Sequence, residues 1–299
     1  MNLTDSLRGI VTVLNTPFTG EDRIDVVGLQ KHVTYALGAG VAGFLVPAMA
    51  SEVGKLSGVE RRFVLDTVVD AVDGAVPVIG GASAETGAER VARAVDCMDA
   101  GCAGVLVALG YASDMQYEHD LQEVAALAPD FLMVQDWDSE GYGAPVDLIA
   151  RLFAEVEVFK ALKVEVVDAG RKYTEVLAAT EGQLHVSGGW AVREMLDGLA
   201  RGVHAFMPTG MHRCYCEIYR QYTAGNVVEA AALFAKVKPV LDFSNQHLDV
   251  SIHFFKQLLH AQGVYATARV REPIMVLTEA QADKAARWVD YAMALEGAV

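Results

Sequence analysis

Only four cysteines occur in the 299 residues, at positions 97, 102, 214 and 216. None forms a Cys-x-x-Cys pair of the kind that opens a structural zinc site, and four thiols in a chain of this length are no disulfide scaffold. Their helical or loop-edge positions fit ordinary reduced thiols. His-x-x-x-His spacing is also missing, so no metal and no cofactor are expected. Positive charge is scarce: 24 Lys and Arg stand against 39 Asp and Glu, a formal charge of −15 with no basic block. Such a field repels phosphate backbones and excludes nucleic acid as a natural partner, while a small anion still answers to its local pocket. No apolar run approaches the roughly 18 residues of a membrane span, so no membrane partner is expected. The first 15 residues lack the basic start and small-residue cleavage site of a signal peptide, which points to the cytoplasm. Linkers, low-complexity stretches and short-period repeats are missing as well.

What the chain has in quantity is apolar sequence, 53% of all positions. Short strand-like segments recur at 10–14, 43–47, 76–80, 104–109, 131–136, 158–164, 184–187 and 205–207. Helical patterns fill the gaps; Val26, Leu29, Val33 and Leu37, for example, recur at helical spacing and lead to a Gly38-Ala39-Gly40 stop. Eight strands alternating with helices predict a (β/α)8 TIM barrel over 1–211. An open doubly wound sheet would bring a glycine-rich phosphate turn after its first strand, where this chain reads Asn15-Thr16-Pro17-Phe18-Thr19. Residues 212–299 read as helices only, a C-terminal appendage of the same structural unit, with Pro239 expected to kink or interrupt one of them.

The segment 158–164 carries two lysines three residues apart. Side chains alternate along a strand, so Lys160 and Lys163 point to opposite faces. Leu162 and Val164 belong under the covering helices, which sends Lys163 inward, near the catalytic C-terminal end of the strand. A lysine in apolar surroundings loses the hydration of its charged form and becomes, as a neutral amine, a nucleophile towards carbonyls. The other strand ends offer Thr16, the turn 48–52, Gly81 to Ser83, Gly110-Tyr111, Asp136, Glu165, Ser187-Gly188-Gly189 and Pro208-Thr209-Gly210. One amine among small, hydroxyl-bearing residues suits imine chemistry, with backbone N–H groups free to receive a carboxylate.

With these residues the chain resembles the dihydrodipicolinate synthase / N-acetylneuraminate lyase superfamily of class I aldolases and dehydratases. The likeness runs over nearly the whole chain, in Thr16-Pro17-Phe18, Ser51-Glu52, the lysine strand with its Glu165, Ser187-Gly188 and the helical tail. It implies an imine between Lys163 and pyruvate or a related 2-oxo acid, formed by a homotetramer or dimer. It also implies substrate contacts at Ala50, Ser51, Glu52, Ser187, Gly188 and Thr209, with Glu52 fit as well to hold its turn. The departures are specific. The family turn Gly-Thr-Thr-Gly-Glu is here Ala48-Met49-Ala50-Ser51-Glu52. The proton-relaying tyrosine of its Tyr-Asn-x-Pro motif falls at Val134, and the arginine that grips aspartate semialdehyde falls at Ser139. Lysine-biosynthesis synthase activity is therefore a poor reading. A lyase or aldolase, a dehydratase on the same imine, and a non-catalytic oxo-acid-binding barrel remain. With the phenol gone, Asp136 is expected to face Lys163 and take over proton transfer, together with Tyr111. His185 reads as a packed, hydrogen-bonded histidine, and Met49 and Trp137 as apolar residues at the mouth.

Overall fold

The eight apolar segments become parallel strands in a computed structural model that describes residues 3–189 and 192–299. Residues 1 and 2, part of the stretch read for a targeting signal, lie outside the described residues. After a single helical turn, α1 (Leu3–Ser6), come β1 (Gly9–Val13), α2 (Val26–Ala39), β2 (Gly43–Val46), α3 (Gly58–Val72), β3 (Val78–Gly81), α4 (Gly87–Asp99) and β4 (Gly104–Leu109). The alternation continues through α5 (Asp114–Ala125), β5 (Leu132–Asp138), α6 (Val146–Glu155), β6 (Phe159–Val166), α7 (Ala169–Ala179), β7 (His185–Gly188), α8 (Met195–Arg201) and β8 (Ala205–Phe206). The strands close in chain order into a TIM barrel. Every residue of β1 and β2 is buried, as befits parallel strands covered on both faces. Beyond β8 follow α9 (His212–Thr223), α10 (Val227–Ser244), α11 (Leu248–Ala261) and α12 (Glu279–Gly297). Pro239 stands inside α10, which is assigned as one continuous helix, at the cost of a single backbone donor.

Local sequence sets most of the helix boundaries. Asp25 caps α2 by accepting from Gly28 N, and Gly40 ends it at a φ of 88° that favours glycine. Ser57 with Glu60 and Thr278 with Gln281 are reciprocal capping boxes for α3 and α12. β6 runs two residues past its predicted end, so Glu165 is a strand residue with a fixed direction.

The chain packs as two compact units. One comprises Pro77–Met207 with the segment ending at Gly9. Its stacked His185 and His204 rings lie 5.2 Å apart; His185 Nε2 donates to Leu7 O, and His204 Nδ1 accepts from Val186 N. Burial pushes these imidazoles down to about 3 and about 4, so both are neutral at ordinary pH. His185 is thus the packed, hydrogen-bonded histidine expected.

The other unit comprises Ile10–Val76 with Pro208–Val299. Through it runs a fully buried chain of hydrogen bonds: Thr12 Oγ1 to His212 Nδ1 at 3.2 Å, His212 Nε2 to His32 Nε2 at 2.9 Å, His32 Nδ1 to Tyr265 Oη at 2.7 Å. Tyr265 donates to Asn15 O, so His32 Nδ1 must donate and its Nε2 must accept; every link is satisfied with both imidazoles neutral. The helix α9 has no cap of its own at Met211. Its first amides, Arg213 N and Cys214 N, donate instead to the buried carboxylate of Glu296 in α12.

Candidate active site

Residues side by side in a parallel ladder share a face, so the register decides what meets the Lys163 amine. Ala108 lies beside Gln135, Gln135 beside Lys163, Lys163 beside Ser187 and Ser187 beside Ala205. The alternate row, Asp136 with Val164, turns towards the helices, because Asp136 reaches Lys172 in α7. Lys163 therefore points into the barrel and is buried, while Lys160 is on the outside and donates to Asp130 O. The Lys163 amine is not in purely apolar surroundings: Nζ stands 3.3 Å from Glu165 Oε1, on the same face two residues on. Gln135 Nε2 donates to the other oxygen of that carboxylate, so amine, carboxylate and carboxamide form one linked set. Gly189 must be glycine here, since a Cβ would run into the Glu165 carboxyl.

Asp136 is not part of this set, which corrects the expectation that it faces Lys163. Its carboxylate lies 3.0 Å from Lys172 Nζ and accepts from Ala144 N at 2.9 Å. Lys172 is wholly buried and also donates to Tyr142 O and Ala144 O. Burial pushes the Asp136 carboxyl above its ordinary range, with Lys172 pulling it back. The pair pins the β5–α6 loop to α7. Val134 shares this outward face beside Leu162, so the residue that β5 presents to the amine is Gln135.

Tyr111 is partly exposed on the loop ahead of α5 and donates to Asp114 Oδ1 at 2.7 Å; that bond raises its phenol above the usual range. Ser187 is buried beside Lys163, its hydroxyl 3.4 Å from Leu162 O. At Gly188 a Cβ would lie 2.9 Å from the Tyr173 hydroxyl, so that position too requires glycine.

In the other unit, the turn 48–52 is held from within. Ser51 Oγ donates to Leu14 O and accepts from Ala48 N, Asn15 Nδ2 donates to Ala50 O, and Thr16 Oγ1 to Ser51 O. Glu52, at a left-handed φ of 57°, spends its carboxylate on Lys256 Nζ, Lys55 Nζ and Arg271 N. Burial brings the Lys256 amine down to about 8, against the pull of Glu52. Glu52 holds its turn, leaving backbone groups rather than its side chain to meet a ligand. Thr209 is buried just past β8.

A cavity of about 430 Å³ opens beside Glu165, bounded by Ser139, Asp168, Arg193, Glu194, Asp197 and Arg201. Arg201 is paired with Asp197 at 2.7 Å. With Glu165, carboxylates outnumber guanidiniums in this cavity. Among the described residues, no three His, Cys, Asp or Glu side chains are grouped to hold a metal ion, and no helix is long and apolar enough to cross a membrane.

Residues 6–292 match the Dihydrodipicolinate synthetase family. The chain belongs to that family. Within it, the 4-hydroxy-tetrahydrodipicolinate synthase of Methanothermobacter thermautotrophicus is 32% identical over 152 residues, 49% of this chain and 53% of that enzyme, so the match spans about half of that relative's length. The L-2-keto-3-deoxyarabonate dehydratase of Azospirillum brasilense is 26% identical over 277 residues, 89% of this chain and 88% of that one. Among solved structures, dihydrodipicolinate synthase from Rhodopseudomonas palustris superposes with a TM-score of 0.87 at 22% identity, covering 99% of both chains, a likeness of fold.

One member of the linked set, Gln135, escaped the sequence reading as a site residue. Glu165 stood among the strand-end residues on the face of Lys163, with no catalytic role assigned to it. Gln135 carried no such signal, because its direction depends on the β5–β6 register.

Proposed function

We propose that this protein is a lysine-imine lyase of a 2-oxo acid, and that the bond it breaks is the carbon–oxygen bond lost in dehydration. The observation that carries the reading is the linked set of Lys163, Glu165 and Gln135. The amine adds to the C2 carbonyl and water leaves, giving an iminium. That positive charge acidifies the hydrogens on C3, and the Glu165 carboxylate, adjoining the amine, takes one of them. The resulting enamine expels the hydroxyl on C4, which leaves as water with the proton Glu165 has just acquired. One carboxylate thus moves one proton from carbon to leaving oxygen, with no phenol relay needed. Hydrolysis of the imine frees the product and restores the amine. Gln135 keeps the carboxylate turned to the amine, and Ser187 offers a hydroxyl beside it.

The cavity that Glu165 lines, and Lys163 does not, would take a hydroxylated tail reaching past that carboxylate. Its carboxylates accept hydroxyl hydrogens and oppose a second carboxylate. Aspartate semialdehyde carries such a group, so this charge pattern disfavours the lysine-biosynthesis condensation. A keto-deoxy sugar acid dehydratase stands among the relatives matched over most of their length, beside a 4-hydroxy-tetrahydrodipicolinate synthase matched as broadly, so the choice rests on the site and not on the relatives.

Borohydride reduction with pyruvate should leave an adduct on the Lys163 peptide and none on Lys160. Incubation with 2-oxo-3-deoxy pentonates and hexonates should yield a product lighter by one water. Pyruvate release instead would assign the protein to the aldolases, and a chain that traps no oxo acid at saturation would remove the imine altogether.

A further inference from the structure

We propose that Cys97 and Cys102 form a dithiol site that closes to a disulfide by exchange with a small external disulfide of the glutathione type. The end of α4 brings them together. Cys102 N donates to Cys97 O and Gly101 N to Met98 O, each at 3.0 Å, with Gly101 at a φ of 85°. This is the paired six-to-one and five-to-two closure of a Schellman motif, in which the side chains three residues before the cap and two after it meet. In most helices that contact is apolar; here both partners are thiols.

Gly80 of β3 makes room for them. A Cβ built there would stand 2.5 Å from Cys97 Sγ and 3.0 Å from Cys102 Sγ, so both sulfurs crowd one point and lie within the sum of those distances of each other. Nothing larger than glycine would leave that space. Both cysteines are reduced in the structure, and a disulfide needs its sulfurs about 2.05 Å apart; rotation about χ1 swings each sulfur while the backbone, already closed upon itself, holds the two residues together. Cys97 is buried and Cys102 partly exposed, which orders the steps.

Cys102 thiolate attacks one sulfur of the external disulfide and expels the first small thiol. Cys97 thiolate then attacks the Cys102 sulfur and expels the second. Two protein thiols are oxidised, the external disulfide is reduced to two thiols, and the two protons from the cysteines end on them. No metal or oxygen is required.

The test is intact-mass and peptide mass measurement on the full chain titrated with oxidised glutathione. The expected product has lost two hydrogen masses, carries no glutathione, bridges 97 to 102, and reverts with excess reduced glutathione. Cys97→Ser should instead hold one glutathione on Cys102, because the resolving thiol is gone, and Cys102→Ser should leave Cys97 unmodified. Glutathione retained on Cys102 in the unsubstituted chain would overturn the proposal. So would failure of that chain to oxidise, or a bridge involving Cys214 or Cys216.

Discussion

At the scale of single residues, Glu165 and Asp136 exchange the roles that counting along the strand assigns them. Glu165→Gln keeps the hydrogen-bond geometry but removes the base, so turnover should fall by roughly 10²–10⁴ while borohydride still traps an oxo acid at Lys163. Equal loss of trapping and turnover would make Glu165 a holder of the lysine and nothing more. Asp136→Asn should do the reverse. It strands a buried lysine and should cost about 3–5 kcal/mol in urea unfolding, with trapping at Lys163 intact in the folded fraction. Lys163 was legible in the sequence because a lone amine near a strand's end is placed by parity within one strand. Asp136 was not legible, because its facing depends on two strands. The ladder shifts between Leu132 and Met133, which pair with Phe159 and Ala161, and that skipped residue turns Gln135 rather than Asp136 towards the amine.

At the scale of elements, some helices are closed by their own residues and others from afar. Ser57 with Glu60 announces α3 locally. Nothing near Met211 announces α9, whose cap stands in α12. Glu296→Ala leaves two helix amides, the Tyr35 hydroxyl and the Gln262 amide without their acceptor, and should cost at least about 2 kcal/mol by thermal or chemical unfolding. The same holds for the turn 48–52. Lys256→Met removes one of the two lysines that hold the wholly buried Glu52 carboxylate and, with Lys55 and Arg271 N remaining, should cost less than the about 3–5 kcal/mol of a fully stranded buried charge, whereas Glu52→Ala, which strands the buried Lys256, should cost that full amount. Charge–charge contacts hundreds of positions apart leave no trace in local pattern.

At the scale of the whole molecule, the barrel was legible because eight apolar segments alternating with helices have few other solutions. The division into two compact units was not, since it depends on which distant segments pack together. The buried imidazoles give the molecule a definite response to acid. In the unfolded chain a histidine titrates near 6.5; in the folded chain His185 and His212 titrate at about 3. Between those values the unfolded state binds more protons, so stability is complete above about pH 6.5 and declines as pH falls through that window. Each of the two should cost roughly 2 kcal/mol by pH 5. Asp136 and Glu296, whose carboxyls burial raises, oppose this only where carboxylates begin to protonate. Urea midpoints at pH 7, 6 and 5 should fall steadily; a flat profile would mean that the imidazoles are not held neutral.

The capping of α9 by Glu296 also bears on the order in which a ribosome delivers this chain. Pro77–Met207 is synthesised before α9, so most of that unit can emerge and begin to settle while the later helices are still being made. The segment from Ile10 to Val76 emerges early yet belongs with Pro208–Val299, and the carboxylate that finishes α9 is made 83 residues after the first amide it caps. Its apolar strands must therefore wait, exposed, until those later residues are made. It is this half of the molecule, rather than the half bearing the lysine, that a nascent-chain chaperone would have reason to hold.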